Sequence, residues 1–305
     1  MKWRKQGLVY GPDPNSSWAQ RWALQPTPIL LSDGTIRVFA GFRTHAGVSR
    51  VGYVDLDADD PSRVLAVSKE PVLDIGVPGA FDENGVVPCA IVAREDRLFL
   101  YYAGYQLGQQ VKFYVFGGLA ISTDGGLTFQ RHSRVPICDR TDDELYFRVI
   151  HTMMRDGAVW RAWYGGGDEY SSQDGRQLPR YDIRHALAPD GLSLSGDYQV
   201  CVAQDGEEYR VGRPYVFKDD DGRYRMLFSA GTAATGYRLA YAISTDGVNW
   251  SRKDQDVGID VSPSGWDSEM QAYPAVIRYK DKTYLFYNGN NYGEEGFGYA
   301  VLEEW

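Results

Sequence analysis

Short apolar runs alternate with polar turns along the whole chain, and no stretch shows the 3.6-residue period of an amphipathic helix. The runs recur in a fixed order. A proline or its equivalent opens an apolar strand, as Pro88 precedes Ala90-Ile91-Val92 and Pro214 precedes Tyr215-Val216-Phe217. A tight turn follows at Asp33-Gly34, Glu95-Asp96, Asp156-Gly157, Asp221-Gly222 and Lys280-Asp281. Asp-Gly between apolar runs marks a hairpin, because such turns need positive φ. A second strand then ends at glycine, as in Tyr102-Ala103-Gly104, Trp163-Tyr164-Gly165 and Phe286-Tyr287-Asn288-Gly289. A third strand comes after a variable loop, and two copies continue through near-identical turns, Ser122-Thr123-Asp124-Gly125 and Ser244-Thr245-Asp246-Gly247, into a short fourth.

The anchors Pro28, Pro88, Ile150, Pro214 and Pro274 stand 60, 62, 64 and 60 residues apart. Four short antiparallel strands per unit and five units predict an all-β chain: a five-bladed β-propeller, with residues 1–305 as a single domain. The last unit stops at Leu302-Glu303-Glu304-Trp305 and lacks a fourth strand. Lys2-Trp3-Arg4-Lys5 resembles Trp250-Ser251-Arg252-Lys253, so the N-terminal strand is expected to join the last blade and close the ring.

Composition narrows the partners. The 305 residues carry a net charge of −9, which argues against a general nucleic-acid or anionic-membrane binder. No run is long enough to span a membrane and no secretion signal is visible, so a cytoplasmic location is expected. Cys89, Cys138 and Cys201 are odd in number, widely spaced and without metal-ligand spacing, so neither a disulfide framework nor a metal site nor a cofactor is expected. Aromatic residues make up 14% of the chain and 22 are tyrosines, a composition that suits strands and also sugar-stacking surfaces.

In a propeller the first strands of all blades line one central channel, so the polar approaches to those strands are where a site is expected. Acids recur there: Asp82, Glu83, Glu144, Asp267 and Glu269. Glycoside hydrolysis needs two carboxyl groups flanking the scissile bond, and Glu269 with Asp82 or Glu83 is the expected catalytic pair. Arg148, Arg210 and Arg213 are expected to hold an anionic part of the substrate. His151, Gln25, Asp267, Gln271, Trp22 and Tyr146 complete the expected binding set. The competing assignment for each acid and arginine is structural, with acids capping turns or meeting nearby arginines.

With these residues in view, the chain resembles the five-bladed propeller superfamily of sugar-active enzymes, which includes glycoside hydrolase families 43, 32, 68 and 130. Tyr241-Ala242-Ile243-Ser244-Thr245-Asp246-Gly247-Val248-Asn249-Trp250 and Tyr284-Leu285-Phe286-Tyr287-Asn288-Gly289 carry the resemblance. Gly212-Arg213-Pro214 and Trp266-Asp267-Ser268-Glu269 are similar to stretches of relatives met in polysaccharide and sugar-nucleotide contexts. The resemblance implies a hydrolase or glycosidase acting on a carbohydrate or sugar nucleotide. Families 43 and 32 place an aspartate on the first strand of blade one, where this chain has Trp22-Ala23-Leu24-Gln25-Pro26. Family 130 resemblance implies phosphorolysis, with arginines and a histidine on phosphate. Three outcomes stay open: an enzyme, a non-catalytic propeller that binds a glycan or sugar nucleotide, and a protein-interaction scaffold.

Overall fold

The computed structural model describes residues 1–173, 175–194 and 196–305. It is all-β, with one single-turn helix, Asn290–Gly293, and one 3-10 turn. The strands are β1 (Lys2–Tyr10), then β2 (Arg21–Leu30), β3 (Thr35–Arg43), β4 (Ser49–Asp57) and β5 (Val64–Val67). Next come β6 (Val86–Arg94), β7 (Arg97–Leu107), β8 (Phe113–Ser122) and β9 (Gln130–Arg131). They are followed by β10 (Phe147–Asp156), β11 (Val159–Gln173), β12 (Arg176–Leu187) and β13 (Tyr198–Val202). The remainder are β14 (Glu208–Lys218), β15 (Tyr224–Thr232), β16 (Tyr237–Ser244), β17 (Ser251–Arg252), β18 (Ala272–Tyr279), β19 (Lys282–Asn288) and β20 (Phe297–Glu304).

Consecutive strands pair antiparallel in groups of four: β2–β5, β6–β9, β10–β13 and β14–β17. In the last group β18, β19 and β20 take β1 as their fourth strand, with Trp3 opposite Leu302 and Lys5 opposite Ala300. The hydrogen-bonded sheets number three rather than one per group. Short parallel ladders, Phe147 with Val115 and Arg148 with Phe116, join β10 to β8. Tyr181 with Arg210 joins β12 to β14, and the three middle groups thereby form one twelve-stranded sheet.

Packing does what hydrogen bonds do not. Successive side chains on a strand face opposite ways, so each second strand serves two neighbours. Ile36 and Val38 pack with Tyr284 and Phe286 of the last group, while Phe39 packs with Leu100, Tyr102 and Phe116 of the next. Tyr101 meets Ile150 and Tyr164, Trp163 meets Met226 and Phe228, and Leu227 meets Leu285 and Tyr287. The first group thus packs on the last through an apolar layer, and the fold is propeller-like. Among the described residues no helix is long and apolar enough to cross a membrane.

Candidate functional site

The first strand of every group carries a one-residue bulge at a corresponding place, and β2 and β14 carry a second nearer their starts. The register slips between Leu24 and Thr27, Pro88 and Ala90, Ile150 and Thr152, Gly212 and Tyr215, and Ala272 and Ala275. A β-bulge of this kind bends the strand and re-aims a side chain, and bulges favour active sites. Gln25, Cys89, His151, Arg213 and Tyr273 therefore occupy corresponding places. Gln25, Arg213 and Tyr273 sit at φ of 54°, 56° and 60°, a left-handed conformation that costs a non-glycine residue about 1–3 kcal/mol. The sequence anchors, four prolines and Ile150, lie one to three residues from these positions.

Four of the five bulge residues line one cavity of about 320 Å³: Gln25, His151, Arg213 and Tyr273. Cys89 lies beneath it, its carbonyl accepting from Arg213 Nη1 and its thiol pushed up to about 12 by burial. Eight of the nineteen residues of the wall are aromatic: Tyr105, Phe113, Phe147, Tyr181, Tyr209, Tyr237, Tyr273 and Tyr292. The cations on the wall are Arg43, Lys112, Arg210 and Arg213. No aspartate or glutamate lines this cavity among the described residues.

The arginines divide into two kinds. Arg37 makes two 2.7 Å hydrogen bonds to Asp55. Arg148 lies 2.7 Å from Glu144, and Arg184 lies 2.6 Å from Asp182 and 3.2 Å from Glu144. Arg213 is equally buried, at 3% exposure, but has no carboxylate; it donates to Thr27 Oγ1 at 2.9 Å and to the carbonyls of Cys89 and Pro26. Arg210, at 7% exposure, donates to the Tyr292 hydroxyl and lies 3.9 Å from the ring centroid of Tyr237, also without a carboxylate. The Nε atoms of both face no partner. A buried charge is expensive unless compensated, and among the described residues no carboxylate compensates these two guanidiniums.

His151 stands with them. Burial first, and the Arg213 charge second, hold its imidazole well below the ordinary histidine range, and its Nδ1 has no hydrogen-bond partner. It is neutral at pH 7. The ladder between β12 and β14 sets Tyr181 beside Arg210, where its hydroxyl meets that of Tyr237; Tyr181 also stacks on Phe147 at 4.5 Å. Burial raises both hydroxyls, so they remain protonated hydrogen-bonding groups.

The expected carboxylate pair is not assembled here. Glu269 is exposed and outside the cavity; only its backbone is engaged, with Arg238 and Asn290. Asp82 is fully buried, bonded to the Tyr102 hydroxyl at 3.0 Å and to Arg131 Nε at 2.8 Å. Glu83 accepts from the Gly79 amide at 2.7 Å and from Gln106 at 3.2 Å, which hold its carboxyl below the usual range.

The recurrence of acids has a structural cause. Asp82 ties its approach to Arg131 on β9, Glu208 is bonded to Arg252 on β17 at 2.9 Å, and Asp267 is bonded to Lys5 on β1 at 2.7 Å. Each acid braces the entry to a group against that group's fourth strand. Burial works against the Asp267 charge, yet Lys5, Ser262 and Gln271 hold its carboxyl below the usual range. Tyr287 also donates to it at 3.0 Å.

Of the expected binding residues, Gln25, His151, Arg210 and Arg213 come together in the cavity. Arg148 does not, being held by Glu144, and Gln271 is buried against Asp260 and Asp267. Tyr146 packs on Tyr114 and Tyr170 away from the wall. Trp22 borders the site, its ring against the guanidiniums of Arg21 and Arg43 and its Nε1 donating to Asn291. Tyr181, Tyr237, Tyr292 and Tyr105 had no sequence signal beyond the abundance of tyrosine, and Arg43 and Lys112 had none. Among the described residues no three metal-ligating side chains gather.

No family model matches the chain. Over 304 residues it is 34% identical to the uncharacterized protein Rv1502 of Mycobacterium tuberculosis (strain ATCC 25618 / H37Rv), covering 99% of this chain and 100% of that one. A 1,2-beta-oligomannan phosphorylase of Thermoanaerobacter sp. (strain X514) is 29% identical over 107 residues, 33% of this chain and 35% of that protein. Among solved structures, a glycoside hydrolase superposes with a TM-score of 0.75 at 19% identity, covering 99% of this chain and 92% of that one. The beta-1,2-mannobiose phosphorylase of Listeria innocua, in complex with beta-1,2-mannobiose, superposes with a TM-score of 0.72 at 12% identity, covering 99% and 97%. The fold is therefore one shared with sugar-active enzymes, and by its identity along the full length the chain belongs to the family of Rv1502.

Proposed function

We propose that this protein acts on a carbohydrate bearing an anionic group, with the anion on Arg210 and Arg213 and the sugar ring against the tyrosine wall. One observation carries the proposal: two buried guanidiniums without carboxylates face the same cavity, while their buried counterparts Arg37, Arg148 and Arg184 are all paired. Arginine matches phosphate or carboxylate oxygens in pairs, and tyrosine offers both a ring face and a hydroxyl. The kinship of fold with sugar-active enzymes points the same way. In this reading the antiparallel groups are five blades of one ring, residues 1–305 form one domain, and the bulges line the mouth of its channel.

Phosphorolysis is the second reading. Inorganic phosphate would then be the anion and also the nucleophile, so the carboxylate base of a hydrolase is not required. The stretch of similarity to a 1,2-beta-oligomannan phosphorylase favours it.

The test is a thermal-shift and calorimetric panel of neutral sugars, uronic acids and sugar 1-phosphates, since a ligand of the folded state raises its apparent stability. Stabilisation by the anionic sugars, lost in Arg213→Met, is the expected result. Equal binding of neutral sugars, undisturbed by that substitution, would overturn the proposal.

A further inference from the structure

The cavity holds a second pair of cations that the first anion leaves unused. Arg43, the last residue of β3, has an Nε that is buried and without a hydrogen-bond partner. Its neighbour across the ladder, Arg21, is paired with Glu294, whereas Arg43 has no carboxylate within ion-pair distance among the described residues. Lys112, in the turn between β7 and β8, is exposed and has no carboxylate within ion-pair distance among the described residues. Both line the same cavity as Arg210 and Arg213 but reach it from different strands. Tyr105 and Tyr273 connect the two pairs: the Tyr105 hydroxyl feels the Arg43 charge, and Tyr273 packs on Tyr237 and Tyr292, which flank Arg210.

We infer that Arg43 and Lys112 form a second anion subsite, so that the ligand is a carbohydrate with anionic groups at both ends. The inference rests on the anionic-carbohydrate reading above and narrows it. In a protein of net charge −9, a cavity lined by four cations and, among the described residues, no carboxylate is a local reversal of the overall charge. Such a cavity also raises the on-rate of a doubly charged ligand more than that of a singly charged one.

Calorimetric titration of α-D-glucose 1-phosphate against α-D-glucose 1,6-bisphosphate, and of the corresponding mannose pair, tests it at about 0.15 M salt. The bisphosphate of at least one pair is expected to bind about tenfold or more tightly than its monophosphate. In Arg43→Gln/Lys112→Gln that ratio is expected to fall to about one. Lys112→Gln alone, on an exposed turn where folding is not at risk, lowers it about threefold. Equal affinities in the native protein, or a ratio untouched by both substitutions, would overturn the second subsite while leaving the first intact. If no member of either pair binds, this inference falls, and if the uronic acids also fail to bind, the anionic-carbohydrate reading falls with it.

Discussion

His151 and Arg213 stand in the same place on successive first strands, each within a bulge, and the guanidinium of one lies close enough to depress the imidazole of the other. Among the described residues neither has an acid to balance it at the cavity. What differs among the repeated units, namely Gln25, Cys89, His151, Arg213 and Tyr273 at one bulge, is therefore where we place the proposed site. What recurs, the acid bonded to a fourth strand, is scaffold.

Arg213 and Arg148 should respond oppositely to the same substitution. Arg148→Met strips a buried carboxylate, Glu144, of one of its two guanidiniums, and is expected to lower the unfolding free energy by about 3 kcal/mol. Arg213→Met removes an uncompensated buried cation and loses only donors to Thr27, Pro26 and Cys89. Its expected change is within about 1 kcal/mol in the absence of ligand. Denaturant titration of both variants distinguishes them, and an equal loss would make Arg213 a structural brace.

His151 should make the protein acid-sensitive. Its folded-state proton affinity lies well below the ordinary value of 6.5, so the unfolded chain takes up a proton that the folded one refuses. The unfolded state gains as pH falls below about 6.5, and His185, held down to about 4 by burial and Arg161, works in the same sense. Between pH 7 and pH 5 His151 should account for about 2 kcal/mol of lost stability. His151→Gln should remove that part of the slope in denaturation curves at the two pH values; an unchanged slope would refute the assignment. An anion seated beside His151 opposes its depression, so ligand binding near pH 6 should take up a proton, seen as a dependence of the calorimetric heat on the buffer.

The acids separate in the same way. Glu269→Gln, at an exposed side chain outside the cavity, should leave ligand affinity within about twofold of the native value. Asp82→Asn should lower stability by about 3 kcal/mol, because Arg131 loses its buried partner. A large loss of affinity or turnover in Glu269→Gln would restore the carboxylate hypothesis.

Deleting residues 1–10 should unfold the protein. β1 is the fourth strand of the last group, Trp3 is buried against Leu285 and Tyr287, and Lys5 neutralises Asp267. Trp3→Ala alone should cost about 3–5 kcal/mol in thermal or chemical denaturation. A folded, soluble protein lacking those ten residues would contradict the account of how the last group is completed.

The strand order and the pairing of the N-terminal strand were legible because each unit repeats the same hairpin chemistry: Asp-Gly turns, aromatic strands ending in glycine, and Trp3 matching Trp250. The site was legible only in part. Arg210, Arg213, His151 and Gln25 stand in the approaches, where chemistry was sought. A one-residue bulge leaves no mark on composition, however, and it decides which side chain of an approach is aimed at the cavity. Repetition also misled: Asp82 and Asp267 recur for the sake of Arg131 and Lys5, partners some fifty residues away or at the other terminus. Tyr181, Tyr237 and Tyr292 come from third strands and from the turn after a second strand, so only the assembled fold brings them to Arg210.

The central claim is that this cavity seats the anion of a sugar. A crystal structure of the protein with α-D-mannose 1-phosphate tests it most directly. The account predicts phosphate oxygens within hydrogen-bonding distance of both Arg210 and Arg213, His151 beside them, and the pyranose ring against the tyrosine wall. A ligand whose phosphate lies elsewhere, with Arg210 and Arg213 facing only water, would contradict it.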